Sequence, residues 1–108
     1  MIYGLQIYTD HPGRVPAHVD RFREHTCKML EKQGIKVIGC WTTADENHKD
    51  GLIFMIAHDT LEELRSAQRR FRDDPERIAM VEESEKDGLI ILSSDNWVLK
   101  PTDFSPLQ

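Results

Sequence analysis

Six consecutive apolar residues, Leu52 to Ala57, constrain this chain more than any other stretch. They lie within Gly-Leu-Ile-Phe-Met-Ile-Ala-His-Asp, residues 51–59. A strand alternates its side chains between two faces. Leu52, Phe54, Ile56 and His58 therefore point one way, and Ile53, Met55 and Ala57 the other. Both faces are apolar, the mark of a strand covered on both sides. The rest of the chain has to supply those two covers.

The flanking pattern supplies the first. Ile2–Thr9 reads as a strand with Tyr3, Leu5, Ile7 and Thr9 on one face and Gln6 and Tyr8 on the other. Asp10-His11-Pro12-Gly13 is a turn. A helix follows, with Pro16 in its first turn and a stripe of Val15, Val19, Phe22, Thr26, Met29 and Leu30. His18, Arg21, Glu24, His25, Lys28 and Lys32 fall largely outside that stripe and read as solvated. Gly34 lets the chain reverse into a second strand, Ile35–Thr43. There Ile35, Val37, Gly39 and Trp41 alternate with Lys36, Ile38, Cys40 and Thr42. Ala44–Asp50 is a hairpin loop into the organising strand. Thr60 with Glu63 is a capping box for a second helix that turns Leu61, Leu64, Ala67 and Phe71 inward. Asp74-Pro75 restarts that helix, Ile78 and Val81 continue its dry face, and Gly88 ends it. A last strand begins at Leu89–Leu92 and resumes through Trp97-Val98-Leu99.

The order is β-α-β-β-α-β. Right-handed crossovers then put both helices on one face of a four-stranded antiparallel sheet, with the first and third strands central. This predicts a ferredoxin-like α+β fold. Two helices cover only one face, so the second cover must come from outside the chain. The expectation is a homodimer packed sheet to sheet, because a large bare apolar face promotes aggregation.

Length and charge narrow the function classes. A chain of 108 residues forms one domain, 1–108, with 101–108 as a tail containing Phe104. Its net charge of −5 argues against nucleic acid, which requires a basic stripe. Arg69, Arg70 and Arg72 are answered by Asp73, Asp74 and Glu76 and read as a solvated helix face. No leader-like pattern and no long apolar run is present, so a cytoplasmic protein without a membrane partner is expected. Cys27 and Cys40 have no metal-type spacing and read as buried, reduced thiols.

No motif prescribes a reaction. There is no GxSxG elbow, no GxGxxG and no phosphate loop, so no nucleotide cofactor is expected. His18 and His25 lie two helical turns, roughly 10 Å, apart, too far to share one ion, and no zinc-type pattern occurs. The histidines read as surface residues and no metal is expected. What remains is a polar handful on an apolar sheet, as small-molecule pockets have. His58 and Tyr8 are the acid/base candidates, and Gln6, Trp41, Phe54 and Trp97 the candidate substrate contacts. An imidazole beside apolar residues can move a proton near neutrality. His58 held by one backbone hydrogen bond at a strand end fits the sequence too, and Tyr8 and Trp41 fit simple packing equally.

The chain resembles the NIPSNAP family of the dimeric α+β barrel superfamily. The likeness spans nearly its whole length. It rests on Met1-Ile2-Tyr3 with Leu5, on Tyr8, Pro12-Gly13, Phe22, His25, Gly34, Gly39, Trp41-Thr42 and Asn47, on the run Ala67 to Phe71, on Asp74-Pro75-Glu76, and on Leu99-Lys100-Pro101-Thr102-Asp103-Phe104-Ser105-Pro106. Two positions depart from it: Arg77, where members usually carry an aromatic residue, and Gly4, where an acidic residue is common. The resemblance implies the fold and the dimer. By analogy with cofactor-independent oxygenases, isomerases and cyclases of the superfamily, it implies handling of a small apolar or aromatic molecule without a metal. The alternative is a non-catalytic interaction module presenting loop 44–50 and tail 101–108 to a protein partner.

Overall fold

The computed structural model describes residues 1–108. Four strands, β1 (Ile2–Asp10), β2 (Lys36–Thr42), β3 (Gly51–His58) and β4 (Ile91–Leu99), form one antiparallel sheet in the order β2-β3-β1-β4. The apolar run is therefore a central strand beside β1, as its two dry faces require. This is the ferredoxin-like α+β architecture.

Register fixes which side chains share a face. Gly4 pairs with Ile56, Gln6 with Phe54 and Tyr8 with Leu52 across β1 and β3. On the other side of β1, Gly4 pairs with Val98, Gln6 with Asn96 and Tyr8 with Ser94. These residues look toward the helices. Leu5, Ile7, Ile53, Met55 and Trp97 belong to the opposite face. The core forms on the helix side, where Leu30, Leu52 and Leu64 are each at most 1% exposed.

The second helical region begins where its caps predict, but Leu61 and Ile78, expected on the dry face, are 46% and 45% exposed. Helix α3 (Leu61–Arg72) begins at Thr60, whose hydroxyl accepts from the Glu63 amide at 3.1 Å. Helix α4 (Pro75–Ser84) begins at Asp74, whose carboxylate accepts from the Glu76 amide at 2.9 Å, with Pro75 in the first turn. Gly34 and Gly88 take φ of +72° and +133°, the left-handed region that a side chain resists.

Several expectations need correction. The first helix is not regular: α1 (Val15–Arg21) runs into a π-helical turn, Phe22–Thr26, before α2 (Cys27–Lys32). The Cys27 amide donates five residues back to the Phe22 carbonyl, so one residue is inserted and the buried face rotates. His18 and Arg21, placed outside the apolar stripe, are in fact 3% and 6% exposed. The second strand does not alternate strictly, because a bulge between Val37 and Gly39 shifts its register. Val37 then pairs with Ile56 and Gly39 with Met55, so the two lie on opposite faces. The last strand is one continuous element rather than two pieces. Cys27 and Cys40 are exposed, since the first helix leaves the edge strand β2 partly uncovered. No helix is long and apolar enough to cross a membrane.

Candidate functional site

A cleft of about 710 Å³ opens between the sheet and the helices that cover it. Its floor is Gln6 and Tyr8 of β1, Phe54 and Ile56 of β3, and Ser94, Asn96 and Val98 of β4. Strand alternation brings these seven side chains to the helix face together. Its roof is α3, through Ala67, Gln68 and Phe71. Gly4 lets α3 settle closely at one end. A Cβ there would meet side-chain atoms of Gln68, Ile56 and Leu64 at 3.2 Å each, so an acidic side chain at this position would crowd the end of the cleft. The floor amides are linked to one another, Asn96 donating to the Gln6 side-chain carbonyl at 2.7 Å and Gln68 donating to the Asn96 side-chain oxygen at 3.3 Å.

Beside the cleft lies a recess of about 20 Å³, room for one water-sized group. Tyr8, Phe54, Phe71, Arg77 and Ile91 wall both spaces. His18 lines the recess. Its Nδ1 lies 2.8–2.9 Å from both carboxylate oxygens of Asp10, which is 1% exposed at the end of β1. The Tyr8 ring meets the imidazole edge-on, with centroids 5.0 Å apart, and stacks with the Phe54 ring at 6.1 Å. Arg21 reaches over from α1 to Ser84 at 3.1 Å and Glu85 at 3.3 Å, tying the end of α4 to the first helix.

Burial governs the protonation of this group. It pushes Asp10 above the usual carboxylate range and His18 below the usual imidazole value, with their mutual hydrogen bond opposing both shifts. A lowered pKa leaves His18 neutral at pH 7, its Nδ1 proton donated to Asp10. Nε2 then carries the lone pair, and no group of the chain is hydrogen-bonded to it. Burial also raises the Tyr8 phenol, while the charges of Arg77 and Arg21 pull it down. An imidazole oriented by a buried carboxylate, with a phenol beside it, can accept and return a proton.

The candidates from sequence separate into three places. Gln6, Tyr8 and Phe54 meet in the cleft. His58 faces the helix side, but pairs with Ile2 at the far end of β3, six residues from the Leu52 that faces Tyr8. That is roughly 20 Å of strand, so the structure does not bring His58 and Tyr8 together. His58 Nε2 is buried there without a hydrogen-bond partner. Trp41 pairs with Ile53 and Trp97 with Leu5, on the face away from the helices, where they are 49% and 52% exposed. Reasoning from sequence missed Asp10, His18 and Arg21. One signal was available: His18 precedes the buried Phe22 by four residues and so shares its helix face.

A sequence model of the NIPSNAP family matches residues 3–106. None of the curated proteins compared with the chain matches it. Among solved structures, a NIPSNAP family protein from Agrobacterium tumefaciens is similar at 25% identity and a TM-score of 0.84, over 99% of this chain and 98% of that one. A NIPSNAP domain protein from Burkholderia xenovorans is similar at 19% identity and a TM-score of 0.81, over 98% and 99%. SnoaB from Streptomyces nogalater, a cofactor-independent oxygenase, shares the fold at 10% identity and a TM-score of 0.63, over 97% and 96%. With the family model spanning nearly the whole sequence, the chain belongs to the NIPSNAP family.

Proposed function

We propose that this protein binds a small apolar or aromatic molecule in the helix–sheet cleft and moves a proton on it without a metal cofactor, in the manner of a cofactor-independent oxygenase, isomerase or cyclase. The observation that carries the reading is His18, held by Asp10 and beside Tyr8, lining a recess that shares five wall residues with the cleft. His18 serves as base through Nε2, Asp10 holds its tautomer, and Tyr8 supplies a hydrogen bond to the ligand. Phe54 and Phe71 provide the apolar bed. The likeness to SnoaB supports the reading by fold alone.

The working unit in this proposal is a homodimer joined through the open sheet face. The chain exposes 7103 Å², against roughly 6,200 Å² expected from surface scaling for 12.6 kDa. Leu5, Ile7, Ile53 and Met55 lie half-exposed on that face, flanked by Trp41 and Trp97.

Native mass spectrometry of the gently purified protein tests both parts. The expected result is a dimer retaining a reproducible small organic molecule. His18→Gln should retain that molecule while losing its conversion. A 12.6 kDa monomer at micromolar concentration would overturn the dimer. Unchanged turnover in His18→Gln would overturn the base.

A second reading has one observation in its favour. Phe104 in the tail is 82% exposed, a large apolar side chain with nothing packed on it. The non-catalytic module would present it to a protein partner. Deleting residues 101–108 should then abolish partner capture and leave the fold intact, although Tyr3 donates to a Gln108 backbone oxygen and anchors the tail.

A further inference from the structure

We infer that the ligand of the cleft is an amphipathic organic anion: an aromatic or aliphatic body lying on Phe54 and Phe71, with a carboxylate received by the guanidinium of Arg77. This rests on the cleft being a ligand site, as proposed above, and adds the charge and chemical class of what it takes.

The first observation is charge segregation. The chain has 19 acidic and 14 basic residues, yet Arg65, Arg72 and Arg77 line the cleft and no Asp or Glu does. An acidic protein has thus built a cationic cavity. Arg65 and Arg72 stand exposed at the rim, so Arg77, half-buried between the cleft and the recess, sets the sign of the guest.

The second is how each guanidinium is committed. Arg72 is already paired with Asp73, at 3.1 Å on an exposed turn. Arg21, nearby, is answered by Glu85. Arg77 has no carboxylate partner. Its guanidinium carbon stands 5.3 Å from the centre of the Phe71 ring, and one nitrogen donates at 3.4 Å to the Arg72 carbonyl. This stack and this single long bond orient the planar fork and leave most of its donors unused. A planar fork of that kind matches a carboxylate with two parallel hydrogen bonds. Arg65, one α3 face away, has no side-chain partner and adds positive potential at the rim.

The third is position. Arg77 walls both the cleft and the recess with His18, and its charge is felt at the Tyr8 phenol. An anion held there places the adjoining carbon of the guest beside Tyr8 and the His18 recess. The linked Gln6–Asn96–Gln68 side chains are neutral and offer no competing charge.

The test is a paired titration of the full chain by calorimetry, with 2-naphthoate against its neutral counterpart 2-naphthamide, and decanoate against decanol as a second shape. Amide chemical shifts at Gln6, Tyr8 and Asn96 locate the binding. We expect the acids to bind at least about tenfold more tightly than the neutral partners, the worth of one charge-assisted paired contact. Arg77→Gln should bring each pair to within about twofold, with the neutral probe unchanged, and Arg77→Lys should restore part of the preference. Equal affinities in the unaltered protein, or a preference that survives Arg77→Gln, would overturn the anion inference and leave the apolar cleft standing. Silence of all four probes at the cleft would overturn both.

Discussion

The two faces of the sheet are made by the same four strands and carry comparable apolar residues, yet they have different fates. On the helix face, Leu52, Phe54 and Ile56 are at most 6% exposed beneath α3 and the first helix. On the open face, Ile53 and Met55 come from the same strand and remain half-exposed, beside the exposed Trp41 and Trp97. Alternation shares out apolar side chains evenly, but only packing elements confer burial. The contrast extends to polar groups. Gln6, Tyr8, Asp10 and His18 are enclosed on the helix face, where desolvation shifts pKa values and sharpens hydrogen bonds. The open face carries Asp95, which accepts from the Trp97 indole at 3.0 Å, but no comparably buried ionisable pair.

The largest test of this difference is deletion of helix-side packing. Leu64 is fully buried at 0% exposure, and Leu64→Ala should cost about 3 kcal/mol in urea unfolding. Ile53→Ala on the open face should cost well under half of that when measured on dissociated protein. Equal losses would mean that the two faces are packed alike.

Next in size is a charge placed on the open face. In the proposed sheet-to-sheet dimer, Ile53→Asp should weaken self-association by about 2 kcal/mol, roughly thirtyfold, because the carboxylate would lose water at that interface. Light scattering across a dilution series reads this, with far-ultraviolet circular dichroism unchanged. An undisturbed dimer would move the interface elsewhere.

The smallest effect sharpens the helix face through pH. Burial holds His18 below its ordinary 6.5, so the unfolded chain takes up that proton first as pH falls. Stability should therefore drop between pH 6.5 and the lower folded pKa, and be fully present above 6.5. Asp10 works with the opposite sign. Its folded pKa lies above 3.8, so stability falls as pH rises from 3.8 through that value. His18→Gln should flatten the slope just below pH 6.5 in urea midpoints. A variant that keeps the slope would assign it to another group.

Much of the fold was legible because its signals are local. Thr60, Asp74-Pro75 and Gly34 act on neighbouring backbone, and the helices begin or end where those residues stand. The candidate site was half legible. Gln6, Tyr8 and Phe54 follow from strand parity once β1 and β3 are neighbours. Trp41 and Trp97 fall outside the pocket expected for them because parity within one strand does not carry to the next without the register, and the β2 bulge breaks it besides. The helical pattern alone predicts His18 and Arg21 to face solvent, because a charged side chain on a helix normally does. Their burial depends on Asp10 and Glu85, partners that the helical pattern does not display, and on the π-helical turn that rotates the buried face.

By itself, then, the sequence determined the order of elements, the central place of the apolar strand, the helix boundaries and the family. Those follow from short-range sterics and hydrogen bonding, with periodicity that repeats every few residues. Tertiary structure alone decided which polar side chains share a desolvated space. It put Arg77 over Phe71, turned His18 toward Asp10, and left His58 at the far end of its strand. Such meetings depend on strand register and on how closely α3 approaches Gly4, distances set by the packing of the whole core rather than by any one segment.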